Sequence, residues 1–183
     1  MTVHKPKFSD TIEDFENGEN YNRAWDFIDF LTNNKISTQW TNSNSDSNTW
    51  KAVKKGVAVC YIKTTIENGG LWVVMPHYHN NYIGFPDNSA DLVPGTLITV
   101  NPQSDSYYEE IIFDEKTMAM ICSKISKCTD CGNKKKCVPG IKINWWGREL
   151  SNRCKFINTP FINPDSNELE CLKTLIRIFV DKL

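Results

Sequence analysis

The sequence predicts an α+β domain in which an antiparallel sheet is flanked by helices and carries a small cysteine-rich segment. Two β-branched stretches around an Asn-Gly-Gly turn indicate the sheet, and apolar residues at helical spacing near both ends of the chain indicate the helices. The third observation is the stretch CTDCGNKKKC at 128–137, which holds three cysteines and three lysines.

The composition is that of a soluble globular protein. The chain has 183 residues, of which 40% are hydrophobic and 23% charged, so it can bury a core without disulfides. No apolar run approaches the roughly 20 residues that span a bilayer, and the first residues lack the apolar segment of a secretory signal. We therefore expect a cytoplasmic protein with no membrane partner, whose seven cysteines are thiols or metal ligands.

The clearest strands are VAVCYIKTTI from Val57 and LWVVM from Leu71, joined by a turn that contains Asn68-Gly69-Gly70. Their β-branched and aromatic residues predict an antiparallel hairpin, and the lack of a polar face before Lys63 predicts a central position in the sheet. Further strands are predicted at 96–100 and 141–146, which gives a sheet of four or more strands.

A first helix is predicted from Tyr21, with Asn20 as its N-cap and Asn33-Asn34 at its end. Its apolar residues recur at helical spacing. They are Tyr21, Trp25, Ile28 and Leu31, with Phe27 and Phe30 widening the face. The polar run TNSNSDSN that follows Trp40 predicts a loop.

Two more helices are predicted in the second half of the chain. One begins at Asp114 as N-cap, with an apolar face of Met118, Ile121, Cys122 and Ile125. The other follows Pro164, with Asp165 and Glu168 in a capping-box arrangement. Its apolar stripe is Leu169, Leu172, Ile176, Phe179 and Leu183, widened by Leu175 and Ile178. That width favours packing on the sheet over dimerisation.

The predicted organisation has three parts: a main α+β domain at 1–121, a basic cysteine-rich knuckle at 122–155 inserted in it, and a C-terminal helix at 156–183 that packs on the main domain.

Four cysteines have a spacing that favours zinc. Cys128 and Cys131 form a C-x2-C pair, which lets the backbone turn while its amides donate to sulfur. Cys137 and Cys154 complete a C-x5-C and C-x16-C series, and Cys122 is a reserve ligand that fits better on the apolar face of its helix. A site of four thiolates is closed to water, so such a zinc would stabilise the fold and leave no open position for catalysis.

Other fates of these cysteines remain open. An iron-sulfur cluster also takes four thiolates, although the spacing matches neither of the usual ferredoxin patterns. A thioredoxin-like redox pair lacks its strand-to-helix context. Buried or unligated thiols are the remaining alternative.

Positive charge concentrates on the same segment. Residues 122–155 contain nine Lys or Arg and two acidic residues, whereas the whole chain has a net charge of -1. Lys134, Lys135 and Lys136 would lie at the tip of the knuckle, with Arg148 and Arg153 beyond it. Such a basic segment can contact an acidic partner, with nucleic acid as one candidate. The same charge would also offset the thiolates of a zinc site.

A second candidate site is MPHYHNNY at 75–82. Its histidines His77 and His79 could line the mouth of a pocket with Trp72 and Tyr82, either for a small molecule or for catalysis. No phosphate-binding loop, nucleophile elbow or His-Glu-x-x-His motif is present, which argues against most enzyme classes.

We therefore expect a non-enzymatic zinc-binding module, with binding or regulation as its role. The alternatives are a protein with the aromatic pocket and a structural protein whose zinc only stabilises the fold.

Overall fold

The computed structural model describes residues 5–13, 15, 18–41, 48–65, 71–76, 96–100, 108–112, 114–128, 140–145, 148–153, 159–181 and 183. The chain divides into two compact units: unit 1 is Met1–His77 with Pro160–Leu183, and unit 2 is Tyr78–Thr159.

The described part of the chain contains two helices, then six strands, a third helix, three strands and a final helix. In order they are α1 (Phe8–Ile12), α2 (Glu19–Asn33), β1 (Ser37–Thr41), β2 (Asn48–Lys54), β3 (Val57–Thr65), β4 (Leu71–Pro76), β5 (Thr96–Val100), β6 (Tyr108–Ile112), α3 (Glu115–Lys124), β7 (Ile141–Trp145), β8 (Arg148–Arg153), β9 (Phe161–Ile162) and α4 (Ser166–Asp181). None of these described helices is both long and apolar enough to cross a bilayer.

Unit 1 contains a five-stranded antiparallel sheet in the order β1-β2-β3-β4-β9. The predicted hairpin is confirmed as β3 and β4, with Ile62 opposite Val74, and β3 is the central strand. The predicted α+β class is therefore confirmed. The other members of this sheet, β1, β2 and β9, were not predicted.

The strands predicted at 96–100 and 141–146 form, but they pair elsewhere. Strand β5 pairs with β6 and strand β7 with β8, each in a separate two-stranded sheet of unit 2. Their predicted place in one larger sheet is wrong, because the choice of a pairing partner leaves no mark in the local sequence. Strand β7 ends at Trp145, and Trp146 lies outside the described residues.

One face of the five-stranded sheet forms the core of unit 1. The strand alternation places side chains from four strands on this face, where each is at most 1% exposed. They are Trp50, Ala52, Cys60, Ile62, Trp72, Val74 and Phe161.

Two tryptophans anchor the helices to this face. The ring centroid of Phe8 lies 5.4 Å from that of Trp50, and the ring centroid of Phe27 lies 5.7 Å from that of Trp72. The indole N–H of each tryptophan also has a hydrogen-bond partner. Trp50 Nε1 donates to the carbonyl of Pro6 at 3.0 Å, and Trp72 Nε1 donates to Asn20 Oδ1 at 2.8 Å. Buried aromatic rings of this kind supply much of the apolar area that stabilises a small core.

Helix α2 forms as predicted but begins differently. It starts at Glu19 with Gly18 at the N-cap, so the prediction of Asn20 as N-cap is wrong. The Asn20 side chain instead accepts a hydrogen bond from Trp72 Nε1 at 2.8 Å. This contact joins residues far apart in the sequence, which is why local capping rules miss it.

The buried face of α2 is rotated from the predicted stripe. Ala24, Phe27, Phe30 and Leu31 are buried, whereas the predicted Tyr21, Trp25 and Ile28 are only half-buried. The helix ends at Asn33 with Asn34 as C-cap, as predicted.

Helix α4 confirms its predicted start and its predicted packing. The Glu168 N–H donates to Asp165 Oδ1 at 2.8 Å, and the Asp165 N–H donates to Glu168 Oε2 at 3.3 Å, which is a capping box. The helix packs against β3, β4, β9 and α2, with Leu169, Leu172 and Ile176 buried.

One polar side chain of α4 is buried with the apolar residues. Lys173 is 5% exposed, and its Nζ lies 2.7 Å from Asp26 Oδ2 and 2.9 Å from Glu170 Oε1. Burial opposes the positive charge, but the hydrogen bonds and charges of Asp26 and Glu170 outweigh it and raise the pKa of Lys173. The ion pair of Lys173 with Asp26 joins α4 to α2.

Left-handed backbone conformations occur at three described turns of unit 1, the first at Lys35 after α2. Lys55 and Gly56, with φ of 48° and 81°, form the two-residue connection between β2 and β3. Asn163 has φ of 40°, and its Oδ1 accepts from the Trp72 N–H while its own N–H donates to the Trp72 carbonyl, both at 2.9 Å. Asparagine tolerates this conformation better than most residues, and its side chain extends the pairing of β9 with β4.

In unit 2, helix α3 begins as predicted. Asp114 Oδ1 accepts from the Thr117 N–H at 2.9 Å, and its Oδ2 accepts from the Thr117 hydroxyl at 2.6 Å. These hydrogen bonds lower the pKa of Asp114, the side-chain bond more than the backbone one. The predicted apolar face is buried, including Cys122.

Candidate metal centre and basic segment

The first predicted zinc ligand lies where two distant parts of unit 2 meet. Lys127 and Arg153 form an antiparallel bridge, and the Cys128 N–H donates to the carbonyl of Asn152 at 2.9 Å. The chain immediately before the C-x2-C pair is therefore hydrogen-bonded to the chain immediately before Cys154.

A second contact fixes the same junction. The Arg153 guanidinium donates through Nη1 to the carbonyl of Ile125 at 2.6 Å, just beyond the end of α3. That carbonyl has no partner within the helix, so the cation satisfies it and complements the negative end of the helix dipole. Arg153 Nε is buried and has no hydrogen-bond partner. Arg153 therefore joins the end of β8 to the end of α3.

The strand pair β7–β8 brings the other end of the junction into place. Ile141 pairs with Arg153, and a register shift follows between Ile141 and Ile143. Gly140, just before β7, has φ of 66°, and a Cβ there would lie 3.0 Å from Asn152 Oδ1. Glycine permits both the conformation and this close approach.

The side chain of Cys128 is more accessible than those of the other three described cysteines. It is half-buried, whereas Cys60, Cys122 and Cys171 are buried. Cys60 lies in the core of unit 1, and burial raises the pKa of its thiol far above the ordinary value. A thiol that stays protonated is neither a ligand nor a nucleophile.

The remaining predicted ligands Cys131, Cys137 and Cys154 lie outside the described residues, as do the lysines of the tip, 134–136. Within the part of the chain that the structure describes, no group of three or more His, Cys, Asp or Glu is placed to hold a metal. For Arg148 only the backbone is described, as the first residue of β8.

The described charges around the junction are mainly positive. Lys127 is exposed and carries no described counter-ion, and Lys124 precedes it on α3. Lys142 Nζ lies 3.1 Å from Glu149 Oε1, but the side chains of these residues are 71% and 68% exposed. An ion pair so exposed contributes little to stability and leaves the cation accessible to a partner.

Of the four residues predicted to line an aromatic pocket, the structure describes Trp72. Trp72 is fully buried, its ring packs beside Phe8 and Phe27, and its N–H is satisfied by Asn20. It serves the core of unit 1. His77, His79 and Tyr82 lie outside the described residues.

Sequence reasoning did not identify Asn152, Arg153 and Gly140 as the residues that shape the junction. The Pro-Gly pair at 139–140 signals a turn, and Gly140 could have been found from it. The Arg153 contact to Ile125 spans 28 positions and has no sequence signal.

Comparison of the chain with protein-family models, with curated proteins and with solved structures gives no match.

Proposed function

We propose that the protein is a non-enzymatic binding module in which a structural zinc orders the basic segment 122–155 for contact with an acidic partner, nucleic acid being the first candidate. The observation that carries the proposal is the junction of Cys128 with Asn152. It places the first cysteine of the series beside Asn152, two positions before the last cysteine in the sequence.

The sequence places Cys154 directly after this junction. Cys128 lies opposite Asn152 in the antiparallel bridge of Lys127 and Arg153. Cys128 follows Lys127 and Cys154 follows Arg153 in the sequence, so each cysteine is one residue from the bridge. Thiolates of such a pair can reach one zinc, since each Zn–S bond is about 2.3 Å. This supports Cys154 over Cys122 as the fourth ligand, because Cys122 is buried on α3.

The charge of the segment supports the choice of partner. Residues 122–155 carry nine basic and two acidic residues, of which Lys127 and Lys142 are exposed. Zinc with four thiolates has a net charge of about -2, which neutralises only part of this excess. The remaining positive charge favours a polyanion.

The metal is tested by elemental analysis and absorption spectroscopy of untagged protein purified without added metal. We expect about one zinc per chain and a colourless sample, with the zinc lost in Cys131→Ser and in Cys154→Ser. The control Cys122→Ala should keep its zinc. A brown sample that contains iron, or a protein with no metal, would contradict the zinc assignment.

The partner is tested with single-stranded RNA and duplex DNA of mixed sequence at several salt concentrations. Replacement of Lys134, Lys135 and Lys136 by Glu should weaken binding and lower the slope of log K against log salt by about 2 to 3. A matched control replaces the exposed lysines Lys5, Lys7 and Lys35 of unit 1. Equal binding by both triple variants would leave zinc as a purely structural element and reject nucleic acid as the partner.

A further inference from the structure

The two edges of the five-stranded sheet are protected very differently. Edge strand β9 has two residues, and Pro160 and Pro164 stand close on either side of it. Edge strand β1 has five residues in continuous register with β2, and it contains no proline, glycine or charged residue. Short strands, prolines, charges and bulges are the usual means by which proteins block sheet edges. Strand β1 has none of them.

The edge at β1 is also open to solvent. Ser37, Thr38 and Gln39 are exposed, and Trp40 and Thr41 are half-buried. Half of the backbone N–H and C=O groups of an edge strand point away from its neighbour and lack a partner in the sheet. Strand β1 can therefore accept another extended chain beside it.

Charge in unit 1 is segregated between the sheet and the helices. The five strands contain Lys51, Lys54 and Lys63 and no acidic residue. The helices α1, α2 and α4 contain seven acidic and three basic residues. In the described part of the chain neither Lys51 nor Lys63 takes part in an ion pair. The sheet thus presents positive charge that nothing described neutralises.

The two faces of β1 offer different surroundings to an incoming strand. On the face away from the core, Gln39 lies opposite Lys51, and Thr41 lies in line with Thr49 and Lys63. Strands are about 4.8 Å apart, so the stem of Lys51 can extend past Gln39 to a carboxylate on a strand added outside β1.

The core-side face of β1 is aromatic. Trp40 lies opposite the buried Trp50, and its Nε1 donates to Asn48 Oδ1 at 3.4 Å. Its half-buried ring stands at the rim of the core, where an apolar side chain on an added strand would cover it.

We propose that β1 is a docking edge for an extended peptide segment of a partner protein, with acidic side chains on the lysine face and apolar side chains on the Trp40 face. Backbone hydrogen bonds to β1 supply the affinity, and the alternation of acidic and apolar residues supplies the specificity. This surface lies in unit 1 and does not depend on zinc or on the basic segment of unit 2.

A second copy of the chain fits the same edge poorly. The sequence of β1, STQWT, has no acidic residue to pair with Lys51 and Lys63. Pairing of two five-residue strands also buries far less than the roughly 1,000 Å² expected of a stable interface. A peptide with carboxylates satisfies the charges that a second copy leaves unmatched.

The test uses the full-length protein and a fluorescent peptide of about six residues, a typical strand length, in which valine and glutamate alternate. Two control peptides carry lysine in place of glutamate, or N-methyl groups on alternate amides that prevent strand pairing. Protein variants are Lys51→Glu and Lys63→Glu, and the matched control Arg177→Glu makes the same charge change on α4. Binding is followed by fluorescence anisotropy, and backbone amide exchange locates the bound peptide.

We expect the acidic peptide to bind and to slow amide exchange in Ser37–Thr41. Lys51→Glu should weaken binding about fivefold, Lys63→Glu less than twofold because β3 lies about 14 Å from the added strand, and Arg177→Glu should leave binding unchanged. The N-methylated peptide, which tests the idea without altering the protein, should not bind.

Three results would overturn the proposal. The first is the absence of binding by the acidic peptide at millimolar concentration. The second is equal binding of the N-methylated peptide or of the lysine peptide. The third is self-association of the protein with protected β1 amides when no peptide is present, which would assign the edge to a second copy.

Discussion

The described parts of the two units differ in how much core they build. Unit 1 has a five-stranded sheet whose inner face is buried under three helices, with Trp50, Trp72 and Phe27 at its centre. The described part of unit 2 has two two-stranded sheets and the ten-residue helix α3. An isolated two-stranded sheet is marginal in water, so such a unit gains from a local crosslink. A zinc bound to the cysteines of 128–154 would be that crosslink.

The contrast also extends to charge. The strands of unit 1 are basic and its helices acidic, while unit 2 concentrates nine basic residues between 122 and 155. We therefore propose that unit 1 depends on its apolar core and that unit 2 depends on a bound ligand.

The largest effect is expected from the core of unit 1. Phe27→Ala removes a fully buried ring that packs against Trp72 and Phe30, and we expect it to lower the free energy of unfolding by about 3–5 kcal/mol. Urea denaturation followed by tryptophan fluorescence measures the loss. The neighbouring half-buried Ile28→Ala is the control and should cost clearly less. Equal losses would mean that α2 does not pack through Phe27.

A smaller effect is expected from the buried cation of α4. Lys173→Met keeps the apolar stem but removes the ion pairs to Asp26 and Glu170, whose side chains are 54% and 62% exposed. Because solvent screens both carboxylates, we expect a loss of only about 1 kcal/mol at neutral pH.

The same pair has a definite pH dependence. The raised pKa of Lys173 means that its contribution is fully present below the ordinary lysine value of about 10.4 and is lost as the pH rises through the folded value. Thermal unfolding from pH 7 to 11.5 should therefore show the wild type losing its advantage over Lys173→Met at the alkaline end. A difference that stays constant over this range would contradict the ion-pair explanation.

The smallest effect is expected at the start of α3 in unit 2. Asp114 has a lowered pKa because it accepts from Thr117, so it stabilises the helix above the ordinary aspartate value and loses that effect as the pH falls below about 4. Asp114→Asn retains an acceptor but no charge. The helix content measured by circular dichroism should differ between the two proteins at pH 6, and the difference should shrink as the pH falls through the lowered pKa of Asp114, whereas a constant difference would locate the effect elsewhere.

The parts of the fold that could be predicted are those with a strong local pattern. Helices α2, α3 and α4 and the β3–β4 hairpin have clear periodicity, capping residues or turn residues. Strand β1 was missed because an exposed edge needs no apolar alternation, and β9 because two residues carry no period. Pairing partners of β5 and β7 were missed because register between distant strands has no local signal.

The candidate metal centre could likewise be predicted only in part. The cysteine spacing could be read from the sequence, as could the positive charge of the segment. The contacts that bring its ends together could not, because Arg153 reaches Ile125 and Asn152 reaches Cys128 across long stretches of chain.

The most direct test of the two sources of order is hydrogen exchange of the full-length protein, as purified with zinc and after its removal by a chelator. Peptide-level mass spectrometry separates the strands of unit 1 from residues 122–155. We predict that zinc removal accelerates exchange within 122–155 and leaves exchange in β2, β3 and β4 unchanged. Equal acceleration in both units, or no change in either, would contradict it.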